Sequence, residues 1–227
     1  MQFEHVELRY GERKILADIH LSIIPGEFVF LIGASGSGKT SFIRTLVWEL
    51  SPSHGHIITD TGKDLYRLSR GDLAGYRRKI GVVFQDFKLL SGKTVGENVA
   101  FAMEVSGYSD RIIQKRLPEV LMEVGILAKK NALVSTLSGG EAQRVGIARA
   151  LIHNPDIIIG DEPTGNLDPT NAAEIMIIFE RLHAAGKTII ISTHDSALVD
   201  TKKKRVIEFG QTTIQRDETP GKYHKHD

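Results

Sequence analysis

The sequence has no cysteine, which excludes disulfide bonds and thiol catalysis and fits a reducing compartment. It also has no long hydrophobic run, since the longest are about five residues against the roughly 20 that cross a bilayer. We therefore expect no membrane-spanning segment. The N-terminus lacks a cationic stretch followed by an apolar one, so no signal peptide is predicted.

Neither sign of charge dominates the chain. The 29 lysines and arginines nearly balance the 28 aspartates and glutamates, which gives a formal net charge of +1. Because proteins that bind nucleic acid usually carry a basic excess, no nucleic-acid partner is predicted. The 227 residues, 41% hydrophobic and 25% charged, predict a soluble globular protein with a buried core in one large or two modest domains.

Short apolar runs alternate with segments of helical periodicity along most of the chain. The apolar runs that predict buried strands are 28–32, 80–84, 156–159 and 188–192. Helices are predicted over 41–50, 94–105, 110–124, 140–152, 169–184 and 196–200. This alternation predicts an α/β fold with a mostly parallel sheet covered by helices.

The N-terminal part has a different pattern. Segments 3–10 and 15–24 alternate apolar and polar residues and predict an antiparallel β pair, the second with Ile15, Ala17, Ile19, Leu21 and Ile23 on one face. Residues 86–136 predict a helical subdomain inserted into the core. We expect a single domain over 1–216, with its core in about 1–85 and 137–216, and a disordered tail over 217–227.

The most informative stretch is the loop 33–40, which reads Gly-x4-Gly-Lys-Thr between a predicted strand and a predicted helix. That context is typical of a phosphate-binding loop. Gly33, Gly36 and Gly38 allow backbone N–H groups to point inward at phosphates, and the helix start adds its positive dipole end. Lys39 can then meet the phosphate charge, and the Thr40 hydroxyl can ligate Mg²⁺. The alternative is a glycine-rich tight turn without a ligand.

A second group of polar residues follows the later strands. Asp161 and Glu162 end an apolar strand, where ligands bind in open α/β sheets. Asp161 is predicted to hold Mg²⁺, and Glu162 to orient and deprotonate the attacking water. His194, after the strand 188–192, is a candidate for contacting the γ-phosphate, and Gln85, after the strand 80–84, for contacting Mg²⁺ and water. The alternatives are a solvated acidic pair and an ordinary loop histidine, and the position of Gln85 alone leaves its role open.

The segment 137–144 predicts a second anion site. Ser138 precedes a helix and is followed by Gly139 and Gly140, which expose N–H groups. One chain then has two phosphate-binding helix starts, whereas one nucleotide has one γ-phosphate. A head-to-tail dimer, in which each ATP is held by one subunit's loop and the other's Ser138 helix, resolves this. A plain capped helix is the alternative.

Taken together, 33–40, Gln85, 137–141, Asp161, Glu162, 166–168 and His194 resemble, in order and spacing, the ABC-type ATPases over residues 2–216. The resemblance implies a P-loop NTPase core with an N-terminal antiparallel β subdomain and the inserted helical subdomain. It implies ATP and Mg²⁺ as ligands, Tyr10 against adenine, and Asp168 in the loop that joins the two sites of a dimer. The implied nucleotide contacts are Tyr10, Gly33, Ser35, Gly36, Ser37, Gly38, Lys39, Thr40, Ser41, Ser138, Gly139, Gly140 and Asp168.

The sequence departs from the family pattern at three places. Gly160 stands where alanine is usual, Ala142 where glutamine is usual, and Trp48 and Glu49 replace a glycine-containing turn. None of these departures removes a predicted catalytic group.

Within the family, the segment 161–168 resembles the group that contains the FtsE, LolD and MacB ATPases. Within that group, the segments 84–90, 94–100 and 144–150 and the short length are most similar to the cell-division ATPases of the FtsE type. That resemblance implies a four-span, FtsX-like membrane partner that docks at residues 85–90 through the apolar side chains Phe87, Leu89 and Leu90. It also implies a peripheral position on the cytoplasmic face of the cell membrane and ATP-driven dimerisation that controls cell-wall hydrolysis. Local core packing is the alternative for the apolar run.

Two other functions stay open. A lipoprotein-releasing (LolD-like) or MacB-like efflux ATPase would keep the chemistry and change the membrane partner. A nucleic-acid repair ATPase of the same superfamily is disfavoured, because only about a hundred residues separate Lys39 from Ser138, without heptads, cysteines or basic excess.

Overall fold

The computed structural model describes residues 1–223. They form two compact units, one that joins Met1–Arg77 to the chain from Thr188 onward, and a second that comprises Arg78–Lys187. In chain order the elements are β1 (Gln2–Tyr10), β2 (Arg13–Ser22), β3 (Phe28–Ile32), α1 (Lys39–Leu46), β4 (His54–Ile58), α2 (Arg70–Arg78), β5 (Ile80–Phe84), α3 (Val95–Glu104), α4 (Asp110–Glu123), α5 (Gly139–Leu151), β6 (Ile157–Asp161), α6 (Pro169–Ala184), β7 (Thr188–Ser192), α7 (Ser196–Lys202), β8 (Arg205–Phe209) and β9 (Ile214–Glu218).

The first unit is built around β3, whose five residues are all buried. Strand β3 runs parallel to β7 on one side and to β8 on the other, with Leu31 opposite Ser192 and Val29 opposite Arg205. Every residue of β7 is buried as well. Continuous apolar strands of this kind are typical of parallel sheets that are covered on both faces, as the sequence predicts.

The N-terminal strands form an antiparallel sheet of order β2-β1-β4. The pairing of β1 with β2 shifts register at three places, two of them bulges at His5 and Asp18 and the third between Leu8 and Arg9. Strand β1 has one extra residue between Phe3 and Val6, and β2 has one between Leu16 and Ile19. His5 and Asp18 occupy these bulges with φ near 51°, and their side chains meet at 2.7 Å. Because a bulge changes which face the next side chains occupy, the predicted single face of β2 is wrong: Leu16 is buried and Ile15 is half-exposed.

Helix α1 ends at Leu46, four residues before the predicted end, because the chain turns sharply at Trp48. Trp48 has φ 61°, a left-handed conformation that glycine normally supplies after a helix. Its ring stacks on Tyr66 with centroids 5.9 Å apart, and the Arg77 guanidinium lies 5.4 Å from its centroid. The Tyr66 hydroxyl donates to the Thr45 carbonyl at 2.8 Å. An aromatic stack therefore holds the turn at Trp48, where the family resemblance implied a glycine.

The second unit pairs β5 and β6 in parallel, from Ile80 opposite Ile157 to Phe84 opposite Asp161. Helices α3, α4, α5 and α6 lie against one another in the same unit. Helix α3 starts with a capping box, in which Thr94 accepts from the Glu97 N–H and Glu97 accepts from the Thr94 N–H. Within residues 1–223, no helix combines the length and apolarity needed to span a bilayer.

Strands β8 and β9 form an antiparallel pair, with Val206 opposite Glu218. Strand β9 reaches Glu218 and so runs two residues into the segment predicted as a disordered tail. Arg205 accounts for this order, because its guanidinium contacts Asp217 at 2.7 Å and Glu27 at 2.8 Å. The last part of the predicted tail, residues 224–227, lies outside the described residues.

The Trp48 turn leads to a stability test. We expect Trp48→Ala to lower the free energy of unfolding by about 2–3 kcal/mol, because it loses the stack and the cation–π contact and keeps the positive φ. Trp48→Gly loses the same contacts but relieves the backbone strain, so it is expected to be more stable than Trp48→Ala by about 1 kcal/mol. Urea unfolding followed by circular dichroism measures both, with Trp48→Phe as the control that keeps an aromatic ring. Equal stability of the alanine and glycine variants would contradict the left-handed turn.

Candidate functional site

The loop between β3 and α1 is shaped by glycines at left-handed backbone angles. Gly33, Gly36 and Gly38 have φ of 135°, 75° and 103°, which side-chain-bearing residues rarely adopt. A Cβ at Gly33 would lie 2.3 Å from the Phe209 carbonyl oxygen, and one at Gly38 would lie 2.7 Å from a Leu16 methyl. A Cβ at Gly36 would meet nothing within 4 Å. Two of the three glycines are thus required by both close packing and backbone conformation.

Lys39 folds back over this loop. Its residue is 5% exposed, and its ammonium donates to the carbonyl oxygens of Gly33 at 2.7 Å and Ala34 at 3.1 Å. The Ser37 hydroxyl is buried and has no hydrogen-bond partner among the described residues. Because buried hydroxyls are nearly always paired, an orphaned one beside a buried ammonium fits a cradle for an anion such as a phosphate.

The start of α1 adds to this electropositive site. Its N-cap is Gly38, no described side chain caps the helix there, and its first turn carries no acidic residue. The N–H groups and dipole of the helix start are therefore directed toward the loop. Ser35 and Thr40 are exposed and Ser41 is half-buried, so the three predicted contact residues around the loop are accessible.

His194 lies at the same edge of the first unit as the loop. Strand β7 is parallel to β3, and the Thr193 N–H donates to the Leu31 carbonyl at 3.2 Å, one residue before the end of β3. His194 is exposed directly after this contact, and Asp195 then caps α7 by accepting from the Leu198 N–H at 2.9 Å. The topology thus brings the predicted histidine to the strand edge from which the glycine loop leaves.

Tyr10 is the last residue of β1 and is 47% exposed. It pairs with Arg13 across the tight turn to β2. An accessible aromatic ring is compatible with the predicted contact to adenine, which stays a prediction.

In the second unit, Gln85 and Glu162 are the first residues after neighbouring parallel strands. Phe84 lies opposite Asp161, so Gln85 and Glu162 leave the strands at one edge. The Gln85 side chain donates to the Asn166 Oδ1 at 3.3 Å, and the Asn166 amide donates to the Gln85 carbonyl at 3.1 Å. The structure therefore brings together Gln85 and the loop that follows Glu162.

The turn at Glu162 is itself unusual. Glu162 has φ 50°, and its carbonyl accepts from the Gly165 N–H at 3.1 Å. The Pro163 ring packs on Gly160, where an added Cβ would lie 2.8 Å from the ring. This close approach accounts for Gly160: in the arrangement described, the proline ring occupies the space that an alanine methyl would need.

Ser138 caps α5 as the sequence predicts. Its hydroxyl accepts from the Glu141 N–H at 3.3 Å, and the Glu141 carboxylate accepts from the Ser138 N–H at 3.0 Å. Lys129 contacts the other oxygen of Glu141 at 2.6 Å, and this contact, followed by the Ser138 N–H, lowers the pKa of the Glu141 carboxyl. Ser138 and Gly139 are exposed, so the cap is open to a ligand.

Asp168 caps α6 next to this helix start. Its carboxylate accepts from the N–H groups of Thr170 and Asn171, each at 3.0 Å, and from the Asn171 side chain, which lowers the pKa of Asp168. Gly140 lies against Asn171, since an added Cβ would be 2.1 Å from the Asn171 Oδ1. The segment predicted to join two sites is therefore packed on the start of α5.

The predicted docking segment 85–90 is only partly exposed. Phe87, Leu89 and Leu90 are half-buried. Arg149 donates to the carbonyl oxygens of Lys88 at 2.7 Å and Phe87 at 2.9 Å, and its burial lowers the pKa of the guanidinium. The segment is thus held to α5 from behind, and local packing accounts for part of the apolar run.

Three polar residues that the sequence analysis did not single out belong to this network: Gln143, Arg149 and Asn171. Gln143 is fully buried on α5 and donates to the Pro163 carbonyl. The sequence does contain a signal for Gln143. It lies four residues before Ile147 on the predicted helix, so a polar side chain falls on the apolar face. The periodicity alone does not say which loop such a residue meets.

A metal site made only of protein side chains can be looked for within the described residues. Within residues 1–223, no group of three or more histidine, aspartate or glutamate residues could hold a metal ion. Mg²⁺ in nucleotide sites usually takes one or two protein ligands together with substrate phosphates and water, so Thr40, Gln85 and Asp161 remain compatible with it.

The family model described as ABC transporter matches residues 16–165. This chain belongs to the ABC transporter family. Its relatives include the cell division ATP-binding protein FtsE of Bacillus subtilis, 47% identical over 214 residues, 94% of this chain and 93% of that protein. The FtsE protein of Mycobacterium tuberculosis is 45% identical over 97% of this chain and 96% of that protein. The FtsE protein of Escherichia coli K12 is 39% identical over 91% of this chain and 93% of that protein.

Solved ABC structures resemble the chain over nearly its whole length. The ATP-binding cassette MJ0796, in a dimeric post-hydrolysis state bound to ADP and Pi, has a TM-score of 0.84 at 32% identity and covers 99% of each chain. The protein cbiO1 from Clostridium perfringens, part of the ABC transporter complex cbiONQ, has a TM-score of 0.87 at 31% identity, over 96% of this chain and 88% of that one. The predicted α/β P-loop NTPase fold is confirmed, and the chain is an ABC-type, ATP-binding ATPase.

The glycine loop of this ABC ATPase gives a matched pair of variants. Gly33→Ala forces a Cβ against the Phe209 carbonyl and is expected to lower the free energy of unfolding by about 3 kcal/mol. Gly36→Ala meets open space and is strained only in φ, so about 1 kcal/mol is expected. Thermal unfolding of the two purified variants measures the difference. A Gly33→Ala variant as stable as Gly36→Ala would contradict the described path of the loop.

Proposed function

We propose that this chain is the ATPase subunit of an FtsE-type cell-division complex, in which ATP-driven dimerisation acts on a membrane partner that controls cell-wall hydrolysis. The observation that carries the proposal is the identity of 47% to the Bacillus subtilis FtsE over 94% of this chain. An open phosphate cradle at Gly33–Thr40 and an open cap at Ser138 support it chemically.

In the first unit, the glycine loop binds the nucleotide phosphates. Lys39 exchanges its two loop carbonyls for phosphate oxygens, and the orphaned Ser37 hydroxyl gains a partner. The remaining contacts from this unit are Tyr10, Gly33, Ser35, Gly36, Gly38, Thr40 and Ser41. His194, at the same strand edge, holds the γ-phosphate and the attacking water in register.

In the second unit, Glu162 is the general base that orients and deprotonates the attacking water. Gln85 positions that water from the neighbouring strand end. The proposed Mg²⁺ ligands are Thr40, Gln85 and Asp161. When bound, Mg²⁺ neutralises phosphate charge. Catalysis then rests on positioning and charge stabilisation rather than on covalent chemistry.

The cap at Ser138 serves the nucleotide of a second copy of the chain. The Ser138 hydroxyl already accepts from the Glu141 N–H, so its own O–H can donate to an anion. Together with the N–H groups of Gly139 and Gly140, it completes the site of the opposing subunit in a head-to-tail homodimer. Asp168, packed beside this cap, joins the two sites. Two solved structures of the similar cassette MJ0796 are dimeric, which supports a homodimer.

The membrane partner is an FtsX-like permease that docks at the segment from Gln85 to Leu90, which places the chain peripherally on the cytoplasmic face of the cell membrane. Phe87, Leu89 and Leu90 offer half-buried apolar surface beside the exposed charges of Asp86 and Lys88. An ATPase for lipoprotein release or efflux would use the same residues with another permease. The subdomain limits at 85/86 and 136/137 also remain part of this proposal.

The test is capture of the Glu162→Gln protein from its native membranes with Mg-ATP. The amide cannot act as a base, so we expect ATP hydrolysis to fall by about 100-fold or more while ATP binding persists and the dimer stays closed. A four-span membrane protein with a large extracytoplasmic domain is the expected companion.

The matched control is Lys39→Ala, which is expected to lose ATP binding and therefore the ATP-dependent dimer. Recovery of a lipoprotein-releasing or efflux permease would replace the cell-division function with the alternative one. Recovery of nucleic acid without a membrane protein would contradict membrane coupling and leave the ATPase chemistry.

A further inference from the structure

We propose that Gln143 is a positioning residue for Glu162: its buried side-chain amide, on the helix that begins at the Ser138 cap, fixes the turn that presents the catalytic carboxylate. This inference rests on the proposed role of Glu162 as the general base. It adds a connection within one chain between the cap offered to a second subunit and the base of the same chain.

The turn needs an external support because its backbone is strained. Glu162 has φ 50°, in the left-handed region that favours glycine. The next residue is Pro163, whose ring further restricts the residue before it. Such a conformation persists only where surrounding contacts hold it, and it decides where the Glu162 carboxylate points.

Three of the described contacts at this turn involve Glu162 or Pro163 directly, and two of these are internal to the turn. The Gly165 N–H donates to the Glu162 carbonyl at 3.1 Å, and the Pro163 ring packs on Gly160. The third comes from outside, where the Gln143 side-chain amide donates to the Pro163 carbonyl. Gln143 therefore anchors the carbonyl of Pro163, the residue that follows Glu162, to a separate helix.

The Gln143 amide has a single described use. Gln143 is 0% exposed, and its Oε1 has no hydrogen-bond partner among the described residues. A buried side chain that leaves its acceptor unpaired and still directs its donor at one carbonyl is poorly explained by solubility or by apolar packing. Its donor to Pro163 is the contact that gives it a function.

The same helix connects this contact to the predicted intersubunit site. Gln143 lies five residues after Ser138, the N-cap of α5, and six residues before Arg149. Arg149 holds the carbonyl oxygens of Phe87 and Lys88, in the loop that follows Gln85. Helix α5 thus forms hydrogen bonds to both the loop after β5 and the loop after β6. Arg149 contacts the first, and Gln143 contacts the second, which contains Glu162.

The test compares kcat and KM for ATP in Gln143→Met, Gln143→Glu and the wild type. Gln143→Met keeps the length and apolar volume but removes the donor, so we expect kcat to fall about ten-fold with KM for ATP within about two-fold. The control is Gln114→Met, the same change at an exposed position of α4, with both parameters unchanged.

Gln143→Glu supplies a readout that loss of packing does not give. Its carboxyl donates to the Pro163 carbonyl only when protonated, and burial raises its pKa. We therefore expect its kcat, relative to wild type at the same pH, to be highest at low pH and to fall as pH rises through that pKa. This profile is available even if Gln143→Met does not fold.

The inference is overturned if Gln143→Met hydrolyses ATP with the kcat and KM of the wild type. It is also overturned if Gln143→Met raises only the KM for ATP and Gln143→Glu has the same pH profile as the wild type. A wild-type chain that does not hydrolyse ATP would overturn the proposed function, and the inference with it. Wild-type hydrolysis with unaffected Gln143 variants removes the inference alone.

Discussion

The structure depends on fully buried parallel strands that end in polar loops. Strand β3 is enclosed between β7 and β8, with every side chain removed from solvent, so its position is fixed by packing on both faces. The glycine loop and His194 then leave this rigid support at one edge. In the second unit, β5 and β6 do the same for Gln85 and Glu162. The polar side chains in these loops are held in place because displacing the buried strands they follow would disrupt the packing of the core.

The loops that leave β5 and β6 contain strained residues, and polar side chains hold these loops in place. Glu162, Phe87 and Lys88 all have left-handed φ without being glycine. Arg149 donates to the carbonyl oxygens of Phe87 and Lys88, and Gln143 donates to the carbonyl of Pro163, the residue after Glu162. Each anchor is drawn from α5. The helix whose N-terminus we propose to serve a second subunit is therefore also the helix that contacts the loops after β5 and β6 of its own chain.

Much of the fold and site could be predicted from the sequence because the signals are local. The apolar run before Gly33, the glycine spacing and the serine cap at Ser138 each describe a few consecutive residues whose geometry follows from their own chemistry. Helix α6 and strand β7 begin and end where the apolar periodicity places them.

Other features depend on residues that are distant in sequence and could not be predicted in the same way. The bulges at His5 and Asp18 arise from how two strands match across a hairpin, and they move Leu16 onto the buried face. The turn at Trp48 forms because Tyr66 and Arg77 meet its ring. Gln143 finds Pro163 twenty residues away, a contact that only the packing of α5 on the loop after β6 determines.

The measurement that tests the central claim most directly is hydrolysis by a mixture of two inactive variants, Lys39→Ala and Ser138→Arg. In a head-to-tail dimer each variant supplies what the other lacks, so mixed dimers contain one intact site made of an unmodified loop and an unmodified cap. If half the dimers are mixed, activity is expected to return to roughly a quarter of the wild-type level. A mixture as inactive as its components would contradict the claim that the Ser138 cap serves the nucleotide of the partner subunit.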